Sequence, residues 1–160
     1  MAQSAVQLLF SRESAFTLLD MITALALSGI LAAIAIPNLT GQLPTYRLNT
    51  AARQVQSELH RIKSQAVAQN TEHRAVFLPP SSYRIERKIG ATTYASTGEI
   101  KPLPEGIVYG NASAKNISFT PRGTATSDTI RLCNSRREGK NVIVFGNTGR
   151  IRIASQSCQK

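Results

Sequence analysis

Residues 14–39 read SAFTLLDMITALALSGILAAIAIPNL, and the reading of this stretch decides the fold. From Met21 to Ile36 every residue is apolar or small, with Thr23 and Ser28 the only hydroxyls. Extended to Leu39, the run has about the twenty residues that cross a bilayer as a helix. It nevertheless keeps a carboxylate, Asp20, near its start and a proline, Pro37, near its end. An ionised acid within a membrane helix is costly unless it is paired, which makes Asp20 a candidate functional residue. An Asp that sits at headgroup level and caps the helix is the plainer alternative. A secretory signal peptide places its small-residue cleavage site after the apolar stretch. Here the order is inverted. Ser14-Ala15 precedes the run, so cleavage there would leave the helix on the mature chain. Arg12, the single base among the first fifteen residues, favours a cytoplasmic N-terminus.

The chain has 160 residues, room for one domain once the apolar segment is set aside. Nineteen Lys and Arg against nine Asp and Glu give a net charge of +10. From residue 111 onward nine bases face two acids, Asp128 and Glu138. That imbalance suits an anionic partner, such as nucleic acid or acidic lipid, or else an ordinary solvated basic surface. The two cysteines, Cys133 and Cys158, lie in the last thirty residues. Behind an export-type N-terminus they suggest a disulfide formed outside the cytosol, the alternative being two unlinked buried thiols. Neither His60 nor His73 stands at ligand spacing from a cysteine, so no metal is expected, and no cofactor. Both histidines read as surface residues. Neither a nucleophile elbow nor a phosphate-binding loop is present, and an enzyme is the least supported class.

Beyond Pro37 the apolar period changes. Leu48, Ala52, Val55, Leu59, Ile62 and Ala66 recur at three-and-four spacing, one face of an amphipathic helix that fades near Asn70. Pro79-Pro80 breaks the chain after a first strand, Arg74–Leu78. Further strands are predicted at Tyr83–Lys88, Ile107–Tyr109, Ile117–Thr120, Thr129–Cys133, Val142–Phe145 and Ile151–Ile153. Asn147-Thr148-Gly149 suits a tight hairpin. Residues 91–106 look least strand-like and are expected to form a mobile loop. The class is α+β, with one long helix set against a sheet.

Ala15-Phe16-Thr17-Leu18-Leu19-Asp20, followed by the apolar helix, resembles the class III signal of type IV pilins and type II secretion pseudopilins. The resemblance implies that a prepilin peptidase cuts between Ala15 and Phe16 and that Phe16 becomes N-methylated. It implies that Asp20 meets the new amine, in its own chain or a neighbour, and sets subunit register, while Pro37 bends the helix. The family usually has Gly before the cut and Glu at the acid; here Ala15 is still small and Asp20 keeps the carboxylate. The implied organisation is a leader at 1–15, a membrane-spanning half-helix at 16–39, an amphipathic half at 40–70 and a β-rich globular domain at 71–160. Phe119-Thr120-Pro121-Arg122-Gly123, Val142–Phe145 and Gly149-Arg150-Ile151-Arg152 are similar to the end of the GspH/FimT family, whose long N-terminal helix packs on an antiparallel two-sheet domain. The expected setting is the bacterial inner membrane, single-pass with a periplasmic C-terminal domain. The chain would then enter a pilus or pseudopilus fibre beside other pilin or pseudopilin subunits.

Gly149-Arg150-Ile151-Arg152-Ile153 alternates, so on a strand Arg150 and Arg152 share one face about 7 Å apart, near the spacing of adjacent phosphates. Arg136, Arg137 and Lys140 precede the same hairpin and join the candidate site. This ending resembles the Gly-Arg-x-Arg DNA-binding motif attributed to FimT-like minor pilins of natural transformation. It implies sequence-independent binding of duplex DNA, since no element is built to read base edges and the aromatics are too few for a stacking platform. The alternative is a type II secretion pseudopilin whose basic surface touches other minor pseudopilins or secreted proteins.

Overall fold

The computed structural model describes residues 17–110 and 115–158, and for residues 35–39 the backbone alone. Ala15, Phe16 and the side chain of Pro37 lie outside the described residues. The chain divides into two compact units, 1–41 and 42–160. A single helix, α1 (Leu18–Ala68), runs through the break between them.

In the first unit α1 begins with a reciprocal cap. The Thr17 hydroxyl accepts from the Asp20 backbone N–H (3.2 Å), while Asp20 Oδ2 accepts from the Thr17 N–H (3.1 Å) and hydroxyl (2.8 Å). Asp20 therefore has a partner inside its own chain at the helix start, where a negative charge also suits the helix dipole. The next turns expose apolar side chains on every side, including Leu19, Ile22, Leu25, Ile30 and Ile34. Among the described residues no helix is long and apolar enough to cross a membrane. The expected crossing at 16–39 includes Phe16 and residues 35–39, which lie at or beyond the limits of that description.

In the second unit the predicted stripe becomes the core. Leu48, Ala52, Val55, Leu59, Ile62 and Ala66 are all buried, joined by Ala51. The helix closes on a left-handed Asn70 (φ 47°), with Thr71 N–H donating to Ala66 C=O and Asn70 N–H to Val67 C=O, which satisfies two orphan carbonyls.

Among the described residues nine strands follow, all paired antiparallel in two sheets. The first sheet is built from β1 (His73–Leu78), β2 (Ser82–Lys88), β3 (Tyr94–Ser96), β4 (Lys101–Pro102) and β6 (Lys115–Phe119); its order is β3-β2-β1-β6, and β4 also pairs with β2. The second, in order β5-β7-β8-β9, joins β5 (Val108–Tyr109), β7 (Asp128–Cys133), β8 (Glu138–Phe145) and β9 (Arg150–Ser157). Tyr83, Ile117 and Phe119 from the first sheet and Ile130, Leu132, Val142, Val144 and Ile151 from the second share one core with the helix stripe. Phe77 of β1 meets Tyr109 of β5 edge to face at 5.7 Å, tying the sheets together.

Two expectations need correction. Residues 91–106 are not a plain loop, since β3 and β4 both lie there and pair with β2. Such short edge strands are held by backbone pairing, and Tyr94 by its hydroxyl on Glu72 (2.8 Å), so they carry no apolar alternation to read. His73 is not a surface residue. It is fully buried, because alternation along β1 puts it on the same face as Ala75 and Phe77, and its Nδ1 lies 2.9 Å from Thr71 C=O.

Candidate nucleic-acid interface

β9 is the edge strand of the second sheet, and its alternation is as expected. Ile151 is buried and Ile153 packs on the core, while Arg150 and Arg152 are exposed on the opposite face. The arginines are two residue steps apart along the strand, a rise of about 7 Å. Across the ladder Arg150 faces Phe145 and Arg152 faces Ile143, so all four side chains stand on the outer face of the sheet. Arg131 of β7 pairs with Asn141 and shares that face.

The turn that presents Arg150 is fixed by close approaches. Gly149 has φ +57°, and a Cβ there would lie 2.2 Å from Gly123 C=O, so only glycine fits. Lys63 of α1 donates its ammonium to the carbonyls of Thr148 (3.0 Å) and Gly149 (3.1 Å). On the other side Gly146 N–H donates to Ser127 Oγ (2.7 Å), and Ala125 N–H donates to Gly146 C=O (2.8 Å). The contact between Gly123 and Gly149 brings their chain neighbours, the exposed Arg122 and Arg150, to one corner of the domain. In the sequence Arg122 stands out only within the family-like stretch Phe119-Gly123 and among the late bases; the signal that could have found it is Pro121-Arg122-Gly123 itself, a turn that presents its central residue to solvent.

The other three expected cations are placed elsewhere. Arg136 and Arg137 sit in the turn between β7 and β8, at the opposite end of the sheet from Arg150. Glu138 and Phe145 are seven residue steps apart along β8, roughly 24 Å at strand rise. Lys140 lies on the other face, where it pairs with Ser155 and donates to its hydroxyl (2.8 Å). Arg137 and Lys140 instead line a cleft of about 490 Å³ with Thr45, Asn49, Ser155 and Gln156. Glu138 borders this cleft; bonds from Thr45 and then Asn134 hold its carboxyl below the usual glutamate range. Cys133 and Cys158 are joined, with Cα atoms 5.9 Å apart, and the bridge ties the end of β9 to this same turn. Cys158 N–H also donates to Arg137 C=O (2.9 Å).

Most cations of the first sheet are held by carboxylates. Glu86, nearly buried, holds Arg74 and Arg84 at 2.6 Å each; Glu72 holds Lys88 and Glu58 holds Lys101 and Arg61. Asp128 is taken by Lys115, and Glu105 by Arg47. Among the described residues Arg122, Arg131, Arg136, Arg137, Lys140, Arg150 and Arg152 make no ion pair. The same residues include no group of three side chains that could hold a metal ion.

An N-terminal helix whose later half carries two antiparallel sheets on one face defines a pilin-like subunit. Residues 51–153 match the family model described as type II transport protein GspH, and the chain belongs to that family. Solved structures share the fold. The minor pseudopilin EpsH of the Vibrio cholerae type 2 secretion system superposes with TM-score 0.57 at 12% identity, over 68% of this chain and 97% of that one. The type IV minor pilin FimU of Pseudomonas aeruginosa gives TM-score 0.57 at 19% identity, over 72% of this chain and 97% of that one. A comparison with the sequences of curated proteins finds no match. The chain is thus a member of the type II transport protein GspH family, and it shares its fold with a minor pseudopilin and a type IV minor pilin.

Proposed function

We propose that this subunit enters a pilus-like fibre and binds DNA, without regard to sequence, through the outer face of β9. In this reading a prepilin peptidase removes residues 1–15 and N-methylates Phe16, and the apolar first half of α1 holds the chain in the inner membrane. Packed beside other subunits in the fibre, Asp20 then meets a neighbour's amine. The exposed apolar residues from Leu18 to Ile34 support a helix made to be covered by lipid or by other helices.

The observation that carries the DNA reading is the pair Arg150 and Arg152. Both are exposed, both stand on one face, and among the described residues neither has a carboxylate partner. Arg122 adds a third guanidinium at the same corner. Arginine forks match phosphate oxygens, and a row at phosphate spacing needs no base contact. The test is the salt dependence of duplex DNA affinity, by fluorescence anisotropy, for the full-length chain in neutral detergent. Each phosphate contact contributes about 0.9 to the slope of log K against log salt. Arg150→Gln/Arg152→Gln should lower that slope by about 1.8, as two contacts require. An unchanged slope and affinity would remove the DNA reading. The family match to a type II transport protein favours a second reading, in which the same face meets another pseudopilin or a secreted protein. Retained secretion with lost DNA uptake in the double variant separates the two.

A further inference from the structure

Phosphate binding leaves one feature of this corner unused. Beside Arg150 lies an open recess of about 380 Å³, lined by Ser127, Phe145, Gly146, Asn147, Thr148 and Arg150. Its volume falls at the lower end of small-molecule sites, about 300–1,000 Å³, the scale of one base with its sugar. Phe145 ends β8 with 44% of its surface exposed, directly across the ladder from Arg150. A single exposed ring is ordinary on a protein surface. This one stands in a built wall. A Cβ on Gly146 would come within 2.6 Å of Ser127 Oγ and 2.8 Å of Ala125 C=O, so the segment 125–127 closes tightly on the turn. The Thr148 hydroxyl accepts from Arg150 N–H (3.3 Å), which fixes the other side. The Asn147 amide at the rim offers both donors and acceptors to a base edge.

We propose that this recess takes the base of one unpaired nucleotide, stacked on Phe145, from a strand whose phosphates lie on Arg150 and Arg152. The inference rests on the DNA reading above and narrows it: the preferred ligand is single-stranded nucleic acid, or a duplex with an unpaired end. Every base offers a π-face, so stacking on Phe145 keeps the binding independent of sequence. In the interior of an intact duplex the bases are stacked on one another, and reaching Phe145 would require unstacking one.

The chain has no tryptophan, so Phe145→Trp places a single reporter in the recess. The full-length variant in neutral detergent is titrated with a mixed-sequence single strand, a blunt duplex, and the same duplex with a short overhang. The single strand and the overhang duplex should quench the tryptophan, and the blunt duplex should not. In anisotropy titrations Phe145→Ala should weaken single-strand binding roughly ten-fold, within the range lost with a stacking ring, and leave blunt-duplex binding unchanged. Phe145→Tyr should restore it. Equal quenching by blunt and single-stranded ligands overturns the inference, as does unaltered single-strand binding by Phe145→Ala. If Arg150→Gln/Arg152→Gln weakens binding and Phe145→Ala does not, the recess proposal alone falls. If the arginine variant binds every oligonucleotide as the parent does, the DNA reading itself falls.

Discussion

Three glycines allow backbone strain and close packing at the Gly149 turn to be separated by a matched set of alanine substitutions. Gly106 has φ +80° and open space where a Cβ would stand, so Gly106→Ala measures backbone strain alone. That strain costs about 1–2 kcal/mol, partly offset by the lower entropy of an unfolded chain carrying Ala. Gly139 carries no such strain, but its Cβ would lie 2.4 Å from Gln156 C=O and 2.8 Å from Cys158 Sγ. Neither neighbour is the loose end of a side chain, so Gly139→Ala measures overpacking, about 1–3 kcal/mol. Gly149 combines both, with φ +57° and Gly123 C=O at 2.2 Å. Gly149→Ala should therefore cost about the sum, roughly 2–5 kcal/mol. For a domain of this size each kcal/mol lowers Tm by about 3–6 °C, so Gly149→Ala should fall by roughly 6–30 °C against about 3–12 °C for Gly106→Ala. Thermal unfolding by circular dichroism of the full-length variants reads all three. The same substitution at 149 shifts the turn that presents Arg150 and should weaken DNA binding, which Gly106→Ala should not. A Gly149→Ala midpoint no lower than that of Gly106→Ala would refute the close packing of the two turns.

Breaking the disulfide with Cys133→Ser/Cys158→Ser frees a 25-residue separation, and the loop-entropy relation puts the loss at about 3–4 kcal/mol, measurable by urea titration. Ile62→Ala, at a site with no exposed surface in the centre of the helix stripe, should cost about 2–5 kcal/mol in the same titration. Burial pushes the Glu58 carboxyl up, but hydrogen bonds from Lys101 and Arg61 outweigh it and hold the group below its ordinary 4.5; for Glu72 burial is likewise outweighed by Lys88 and Tyr94. A depressed folded value means stability is complete above pH 4.5 and is lost as pH falls through the folded values. Tm should thus stay level from neutral pH to about 5 and drop below 4.5, with a shallower drop in Glu58→Gln.

Much of this architecture is legible in the chain itself, for reasons that also mark where reading stops. Leu48 to Ala66 repeat at helical spacing because one face must meet the sheets, and Arg150-Ile151-Arg152-Ile153 alternate because a half-buried strand has two faces. Both patterns survive in a single sequence. β3 and β4 do not, because short edge strands are held by backbone bonds that leave no side-chain signature. The expected basic cluster fails differently. Residues 136–140 and 150–152 are close along the chain, yet successive hairpin turns lie at opposite ends of a sheet, so Arg136 and Arg137 are carried away from Arg150. Arg122 is distant along the chain and arrives at the corner through the contact of Gly123 with Gly149. Phe145 reads only as the last residue of a strand, Val142–Phe145. Its role as the wall of a recess depends on Ser127 and Ala125, which no local pattern brings near.

The proposed function requires that the subunit shed its first residues and keep its apolar helix. The direct test is the N-terminus of the chain recovered from the membranes of cells that carry a prepilin peptidase, by N-terminal sequencing and mass spectrometry. The account predicts a polypeptide that begins at Phe16, carries a methylated amine and retains Leu18 onward. A mature chain that still begins at Met1, or one that has lost the helix before Gly41, would contradict it.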